Sequence, residues 1–393
     1  MSRPESSTGG SLRILHLNSM LSGGGTDDQC VKLAAGLRKL GQQVWLAGPE
    51  EREFAKRAHE LNLPFRAMPP EGPLKLRFIL AAAKLLRKER AQIVHGHHGR
   101  DLWPTILVAR LSGLRPKIVL TRHLAKSPSS AFSRRFLLGQ CDALIAVSHF
   151  VARVLREGVY ERDSPEPERR SRPPLKGDLS RIHVIHGGID TDSFRPEEAR
   201  EQRAGWGLEP NNFAFGVVGG YELPRGKGQR EFLQAAARIY ERLPDARFLI
   251  IGRGNMRPIL ESDIRHLGLS SAAQLTPYCQ NMPQAMNALD CLVHPQVGTE
   301  AFPGVVLEAF ACGRPVIASA LDGIPEGFNI GKYGRLVAPE NIQELAEAMA
   351  TQTQQTSYTT EQRRALHARV AGEWSLPALA QNVLKLYRGL MAA

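Results

Sequence analysis

The chain has 393 residues, 42% hydrophobic and 23% charged, with 51 Lys+Arg against 39 Asp+Glu for a formal net charge of +12. This is the composition of a globular protein long enough for two cores. No run of about 18 apolar residues occurs, the start "MSRPESSTGGSLRILHLNS" holds no signal-peptide core, and the five cysteines form no C-x-x-C pair; a cytosolic protein with reduced thiols is expected, and a disulfide scaffold is excluded.

In chain order, short apolar runs alternate with helical stretches. "LRILHLN" at 12–18 leads through a Gly-rich turn into "DDQCVKLAAGLRKLG", followed by "QQVWLAG" at 42–48 and a helix-like segment in the fifties. "PLKLRFILAAAKLLRKERAQ" at 73–92 is amphipathic: Phe78, Ile79, Ala82, Leu85 and Leu86 share one face, with Lys75, Lys84, Arg87, Lys88 and Arg90 around it. Strand-like runs continue at "AQIVHGHH" (91–98), "KIVLTRH" (117–123) and "CDALIAVS" (141–148). Residues 157–180, rich in Pro, Arg and Glu, read as a mobile surface loop. The pattern restarts at "FAFGVVGG" (213–220), runs through "ARFLIIG" (246–252), "DCLVHP" (290–295) and "RPVIAS" (314–319), and ends in helices. The alternation predicts an α/β protein of two Rossmann-like, doubly wound domains over 1–195 and 196–372, with a last helical segment at 373–393. Two such halves imply a cleft, and ligands of open parallel sheets bind beyond the carboxyl ends of the strands.

The excess charge lies in the first half. Residues 1–200 carry 33 Lys+Arg and 21 Asp+Glu, whereas 201–393 carry 18 of each. An acidic partner for that half is expected: an anionic membrane surface, a glycolipid or nucleic acid. Single-strand nucleic-acid binders interleave cations with aromatics, a pattern missing here, so nucleic acid is set aside. His95, His97 and His98 invite a metal reading, but no carboxylate or Cys stands at ligand spacing, and structural roles are expected. Asp190 and Asp192 in "GIDTDSF" spell D-x-D; turn and capping roles are expected there.

The segment "GTEAFPGVVLEAFACGRPVIAS" (298–319) sets Glu300 and Glu308 in an otherwise apolar run. Pro303 suits the first position of a helix and Gly313 the position past its end, which predicts a helix over 303–312 with Val305, Val306, Phe310 and Ala311 against the sheet. Its start offers backbone N–H groups to a phosphate, and the carboxylates accept from sugar hydroxyls. The sum reads as a nucleotide-sugar site.

The E-x7-E run of 300–308 resembles that of the retaining GT-B glycosyltransferases of sequence family 4. So do "GGGTDDQCVKLAAGL", "QIVHGHHG", "DALIAVSHFV", "IHVIHGGIDTDSFRP", "GVVGGYELPRGKGQREFLQAAA", "PYCQNMPQAMNALDCLVHP" and "LDGIPEGFNIGKYGRLVAPENIQELAEAM", in the family's order across nearly the whole chain. The resemblance implies two domains facing across a cleft, with the last helix packing back toward the first. It implies transfer of a sugar from a nucleotide-diphosphate donor, UDP-sugar favoured, to a hydroxyl of a glycan or glycolipid such as lipopolysaccharide core. Configuration would be retained by front-face displacement, with no metal and no cofactor beyond the co-substrate.

Carried over, Glu308 would bind the donor ribose and Glu300 the hydroxyls of the transferred sugar. Phe302, Pro303, Gly304 and Val305 would line the diphosphate, and Lys227 would neutralise it as it leaves. Gly24 and Gly25 would let the first loop approach the donor phosphate, and His123 would sit near the anomeric centre. The chain departs from the family in four places. Gly220 stands where the family has an Arg, and Arg225 is the candidate substitute. His186 replaces an Asn, Asp322 replaces a Gly, and Asp28 adds a charge beside Asp27. The rival readings are a same-fold epimerase or phosphorylase, and a non-enzymatic protein binding an anionic surface. The basic 73–92 helix and the charge of the first half also fit peripheral membrane docking.

Overall fold

In the computed structural model, residues 10–19, 25–50, 53–69, 76–158, 173–276, 279–354 and 358–393 are described. The chain divides into two units, one made of Met1–Gly188 with Leu376–Ala393, the other of Ile189–Ser375. The first unit holds strands β1 Arg13–Leu17, β2 Gln43–Pro49, β3 Phe65–Met68, β4 Ile93–Gly96, β5 Lys117–Arg122, β6 Ala143–Ala146 and β7 Ile182–Val184. They form one parallel sheet in the order β3-β2-β1-β4-β5-β6-β7. The second unit holds β8 Phe213–Val218, β9 Ala246–Ile251, β10 Ala273–Leu275, β11 Cys291–His294, β12 Val316–Ser319 and β13 Gly334–Val337, parallel in the order β10-β9-β8-β11-β12-β13.

The central strands are fully buried, as expected of parallel strands covered on both faces. Both sheets reverse their winding once, between β1 and β4 and between β8 and β11. These switch points open crevices at the carboxyl ends of the strands, and each candidate site below is built on one of them.

The amphipathic segment forms the helix Leu76–Lys88. It buries Phe78, Ile79, Ala82, Ala83, Leu85 and Leu86 and exposes Leu76 and Leu80; Lys75 lies outside the described residues. Of the 157–180 segment, 159–172 lies outside them as well. Asp190 caps its own turn, accepting from the N–H groups of Asp192 and Ser193 and from the Ser193 hydroxyl.

The unit boundary falls at 188/189, upstream of the expected position, because Ile189 and Phe194 bury in the second core and the Ile189 N–H donates to Trp374 O at 2.9 Å. The terminal helix likewise begins at Leu376. Ser375 is extended (φ −74°, ψ 162°), separating Thr360–Trp374 from Leu376–Ala392. Pro377 accounts for the break, since its ring would collide with the carbonyl of residue 373 in a continuous helix. Leu376–Ala392 then packs on Gly25–Lys39, burying Leu379, Ala380, Val383, Leu384 and Tyr387 in the first unit's core. Gly36 permits the approach, because a Cβ there would lie 2.8 Å from that of Ala380.

Candidate active site

In the second unit the loop after β8 carries Lys227 and the loop after β11 carries Glu300. Lys227 Nζ lies 2.8 Å from Glu300 Oε2, with the carboxylate the more enclosed partner. The lysine is held by its surroundings. Gln229 Oε1 accepts from the Lys227 N–H at 2.7 Å, and Gly228, at φ +86°, sits where any Cβ would strike the carbonyl of Pro295. Beneath the pair lies His294, the last residue of β11. Burial pushes its pKa down to about 4; Glu300 pulls it up and Lys227 down, so the ring is neutral beside the ion pair. Both of its ring nitrogens are enclosed without a partner. Sequence reading took "DCLVHP" only as a strand.

Glu300 is positioned from behind. Its N–H donates to Asp322 Oδ2 at 3.3 Å, and its carbonyl accepts from the Gly323 N–H at 3.1 Å. Asp322 has φ +52°, a left-handed conformation that Asp tolerates better than most residues. The Gly-to-Asp departure therefore keeps the backbone shape and adds an acceptor.

The helix here runs Gly304–Ala311, one residue shorter at each end than expected. Pro303 is its N-cap, with ψ 90° outside the helical range, and Gly313 follows the end at φ +70°. Gly313 and Arg314 N–H donate back to Phe310 and Ala309 carbonyls, closing the C-terminus. Val306, Leu307, Phe310 and Ala311 are buried, while Val305 is half-buried. Gly304 is exposed with open space about its Cα, so the helix start is accessible to an anion. Phe302 and Glu308 are half-buried, with Glu308 one turn into the helix. Arg225 turns elsewhere, to Glu340 at 3.5 Å.

In the first unit, Gly24 lies outside the described residues and Gly25 opens the helix Gly25–Lys39. Asp28 pairs with Lys32 and Arg57. Ser19, at the end of the strand that feeds the Gly-rich turn, donates its N–H to buried Asp101 at 2.9 Å. His123 follows β5, its Nε2 enclosed without a partner and its pKa lowered to about 4 by burial, then by Arg122 and His98.

His123 closes a stack of imidazoles with His97, His95 and His16. His95 is fixed by Tyr387 Oη and Thr121 Oγ1, both at 2.6 Å. Cys30, far away in sequence, joins His16 and His97 with donor atoms all within 4.8 Å of one another. That grouping was not legible from spacing. His16 Nδ1 and His97 Nε2 already share a hydrogen bond at 2.7 Å, closer than the roughly 3.3 Å that separates two ligands of one tetrahedral zinc, and we read the cluster as packed polar structure.

Arg122 was also missed. It is 6% exposed, burial lowers its pKa to about 10, and it has no carboxylate partner among the described residues. Its Nε donates to the Lys126 carbonyl at 2.7 Å.

Comparison with known proteins agrees in both units. Residues 212–355 match the family described as Glycosyl transferases group 1, and residues 23–164 match Glycosyltransferase Family 4. A D-inositol 3-phosphate glycosyltransferase of Mycobacterium sp. (strain KMS) is 27% identical, the match covering 75% of this chain and 74% of that one. The solved structure of a glycosyltransferase from Rickettsia africae ESF-5 superposes with a TM-score of 0.81 at 20% identity, covering 97% of this chain and 99% of that one. HepE of Anabaena in complex with UDP superposes at 0.79 with 19% identity, covering 96% and 100%.

Proposed function

We propose, from the premise that this chain belongs to the group 1 glycosyltransferases and shares the GT-B architecture of two Rossmann-like domains, that it moves a sugar with retention from a UDP-sugar to an acceptor hydroxyl without a metal. The observation that carries the reading is the Lys227–Glu300 pair beside an open helix start at the β8–β11 switch point. In this reading the diphosphate draws Lys227 away from Glu300. The released carboxylate then accepts from the sugar hydroxyls, while Lys227 and the backbone from Phe302 to Val305 carry the charge of the leaving group. Glu308 holds the ribose. For the first unit the family resemblance assigns Gly24 and Gly25 to the donor phosphate and His123 to the anomeric centre, and neutral His123 accepts or donates a hydrogen bond without adding charge. The UDP in the HepE complex favours a uridine donor.

The acceptor is read as a glycan or glycolipid, lipopolysaccharide core among them. The mycobacterial relative's name adds a phosphorylated cyclitol to the choices, and the Arg122 cation, without a carboxylate partner among the described residues, favours an acceptor that carries negative charge.

Peripheral docking on anionic membrane belongs to the same reading. No helix among the described residues is long and apolar enough to cross a membrane. Exposed Leu124, Phe132 and Phe136 lie in a stretch, 102–141, that holds Arg110, Arg115, Lys117, Arg122, Lys126, Arg134 and Arg135 and no carboxylate. Cosedimentation with anionic vesicles that salt reverses is expected; indifference to such vesicles at low salt removes this part.

The central test is a screen of UDP-, GDP-, ADP- and dTDP-sugars in EDTA, wild type beside Glu308→Ala. One donor is expected to bind and slowly release nucleotide, and Glu308→Ala to lose this. If no nucleotide sugar binds, the proposal fails.

A further inference from the structure

A second polar cavity lies in the second unit at the amino-terminal end of the strands, opposite the carboxyl ends whose loops carry Lys227 and Glu300. It has a volume of about 300 Å³ and opens at the amino ends of β8, β11 and β12, where Phe213, Asp290 and Arg314 line it. Arg203 and Arg363 reach it from the helices Arg200–Gly205 and Thr360–Trp374. Four arginines, Arg200, Arg203, Arg314 and Arg363, thus line one cavity with three carboxylates, Glu197, Glu198 and Asp290.

Asp290 serves two of the arginines, at 2.9 Å from Arg203 and 4.0 Å from Arg314, and its Oδ2 also accepts the Ala214 N–H at 2.8 Å. Glu197 is held by Arg195 and Gln284. Glu198 pairs at 3.5 Å with Arg200, both largely exposed. Arg363 has no ion-pair partner among the described residues; it donates to neutral oxygens, those of Asn287 Oδ1 at 2.9 Å and Cys312 O at 3.1 Å among them.

The Nε–H groups of Arg314 and Arg363 are enclosed with no acceptor. Buried donors without acceptors are rare in folded proteins. Burial and the neighbouring Arg363 lower the pKa of Arg314 to about 10, and burial also lowers that of Arg363. The four lining arginines exceed the three lining carboxylates by one positive charge.

We propose that this cavity binds a phosphate group, either free phosphate or the phosphate of a small phosphorylated metabolite. Arg203 is already served by Ala288 O, Asn212 O and Asp290, so a tetrahedral oxyanion would supply acceptors chiefly to Arg314 and Arg363, whose Nε–H groups lack one. Its binding ties the helices bearing Arg203 and Arg363 to the amino ends of β11 and β12. The proposal is independent of the glycosyltransferase reading, since it uses none of the donor-site residues.

The test is calorimetric titration of the full chain with inorganic phosphate, at ionic strength matched with chloride, for wild type, Arg363→Gln and Arg363→Lys. Saturable one-to-one binding is expected in the wild type. Arg363→Gln should weaken it roughly tenfold, the loss of one charge-assisted contact. Arg363→Lys keeps the charge but not the fork and should fall between the two, which preserves the test if Arg363→Gln folds poorly. UDP titrated into the same variants should bind as it does to the wild type. Glucose 1-phosphate binding more tightly than phosphate identifies an organic phosphate as the ligand, and equal affinity identifies free phosphate. No saturable phosphate binding to the wild type, or the same affinity in Arg363→Gln, overturns the proposal.

Discussion

At the β1–β4 switch point the first sheet packs His16, His95 and His97 against one another, 0%, 0% and 2% exposed, with His123 at the rim. At the corresponding β8–β11 point the second sheet sets Lys227 Nζ 2.8 Å from Glu300 Oε2, over a single buried imidazole. The strand order that creates both crevices is the same. What differs is the set of residues at the carboxyl ends of the strands and in the loops after them. Topology supplies a place to bind, and the loop residues decide whether that place is neutral or charged. A leaving diphosphate needs cations and open N–H groups, and the second crevice has both. The first has neutral imidazoles at its floor, with the Arg122 cation beside His123.

The largest expected effect breaks the charged side of this contrast. Lys227→Ala should lower turnover by about 10²–10³-fold, the range for removal of one preorganised electrostatic donor, while hardly moving the thermal midpoint. The ion pair is partly solvent-exposed, and such pairs contribute little to stability. Steady-state kinetics beside a melting curve checks both halves. A large loss of stability with intact turnover would make Lys227 structural and erase the difference between the two crevices.

The neutral side is expected to show in the pH dependence of stability. Burial lowers His16 to about 3 and His123 and His294 to about 4, and takes His95 and His97 well below 6.5. Above pH 6.5 these imidazoles are neutral in both states and cost nothing. As pH falls below 6.5 the unfolded chain takes up protons that the folded chain refuses, so stability is lost progressively toward pH 3–4. Each histidine adds up to about 1.4 kcal/mol per pH unit within that window. Denaturant midpoints should be flat from pH 7 to 8 and fall steeply below 6.5. His294→Leu should reduce the slope by one proton. A flat profile down to pH 5 would mean the stack is not buried as described.

Much of this was legible in the sequence because parallel strands announce themselves as short apolar runs, and because Glu300, Gly304 and Glu308 lie within nine residues of one another. The buried face of Leu76–Lys88 followed from its helical period. Contacts between distant residues left no such signal. Cys30 beside His16 and His97, Tyr387 on His95, and the four arginines of the second cavity depend on which elements the fold brings together. The break at Ser375 was readable from Pro377 but is masked by the apolar residues on either side.

The smallest expected effect concerns Asp322, and it separates backbone shape from hydrogen bonding at the charged crevice. At φ +52° a side chain other than Gly, Asn or Asp costs roughly 1 kcal/mol. Asp322→Ala should therefore lower stability by about that amount and also remove the acceptor for the Glu300 N–H. Asp322→Gly relieves the strain but leaves that N–H without its carboxylate, so stability should hold while the donor KM rises a few-fold. Asp322→Asn keeps both the conformation and an acceptor oxygen and should match the wild type in each measurement. If Gly and Asn behave alike in KM, the carboxylate plays no part in placing Glu300. Backbone conformation alone then sets the loop, and the Asp is a tolerated replacement for the family's glycine.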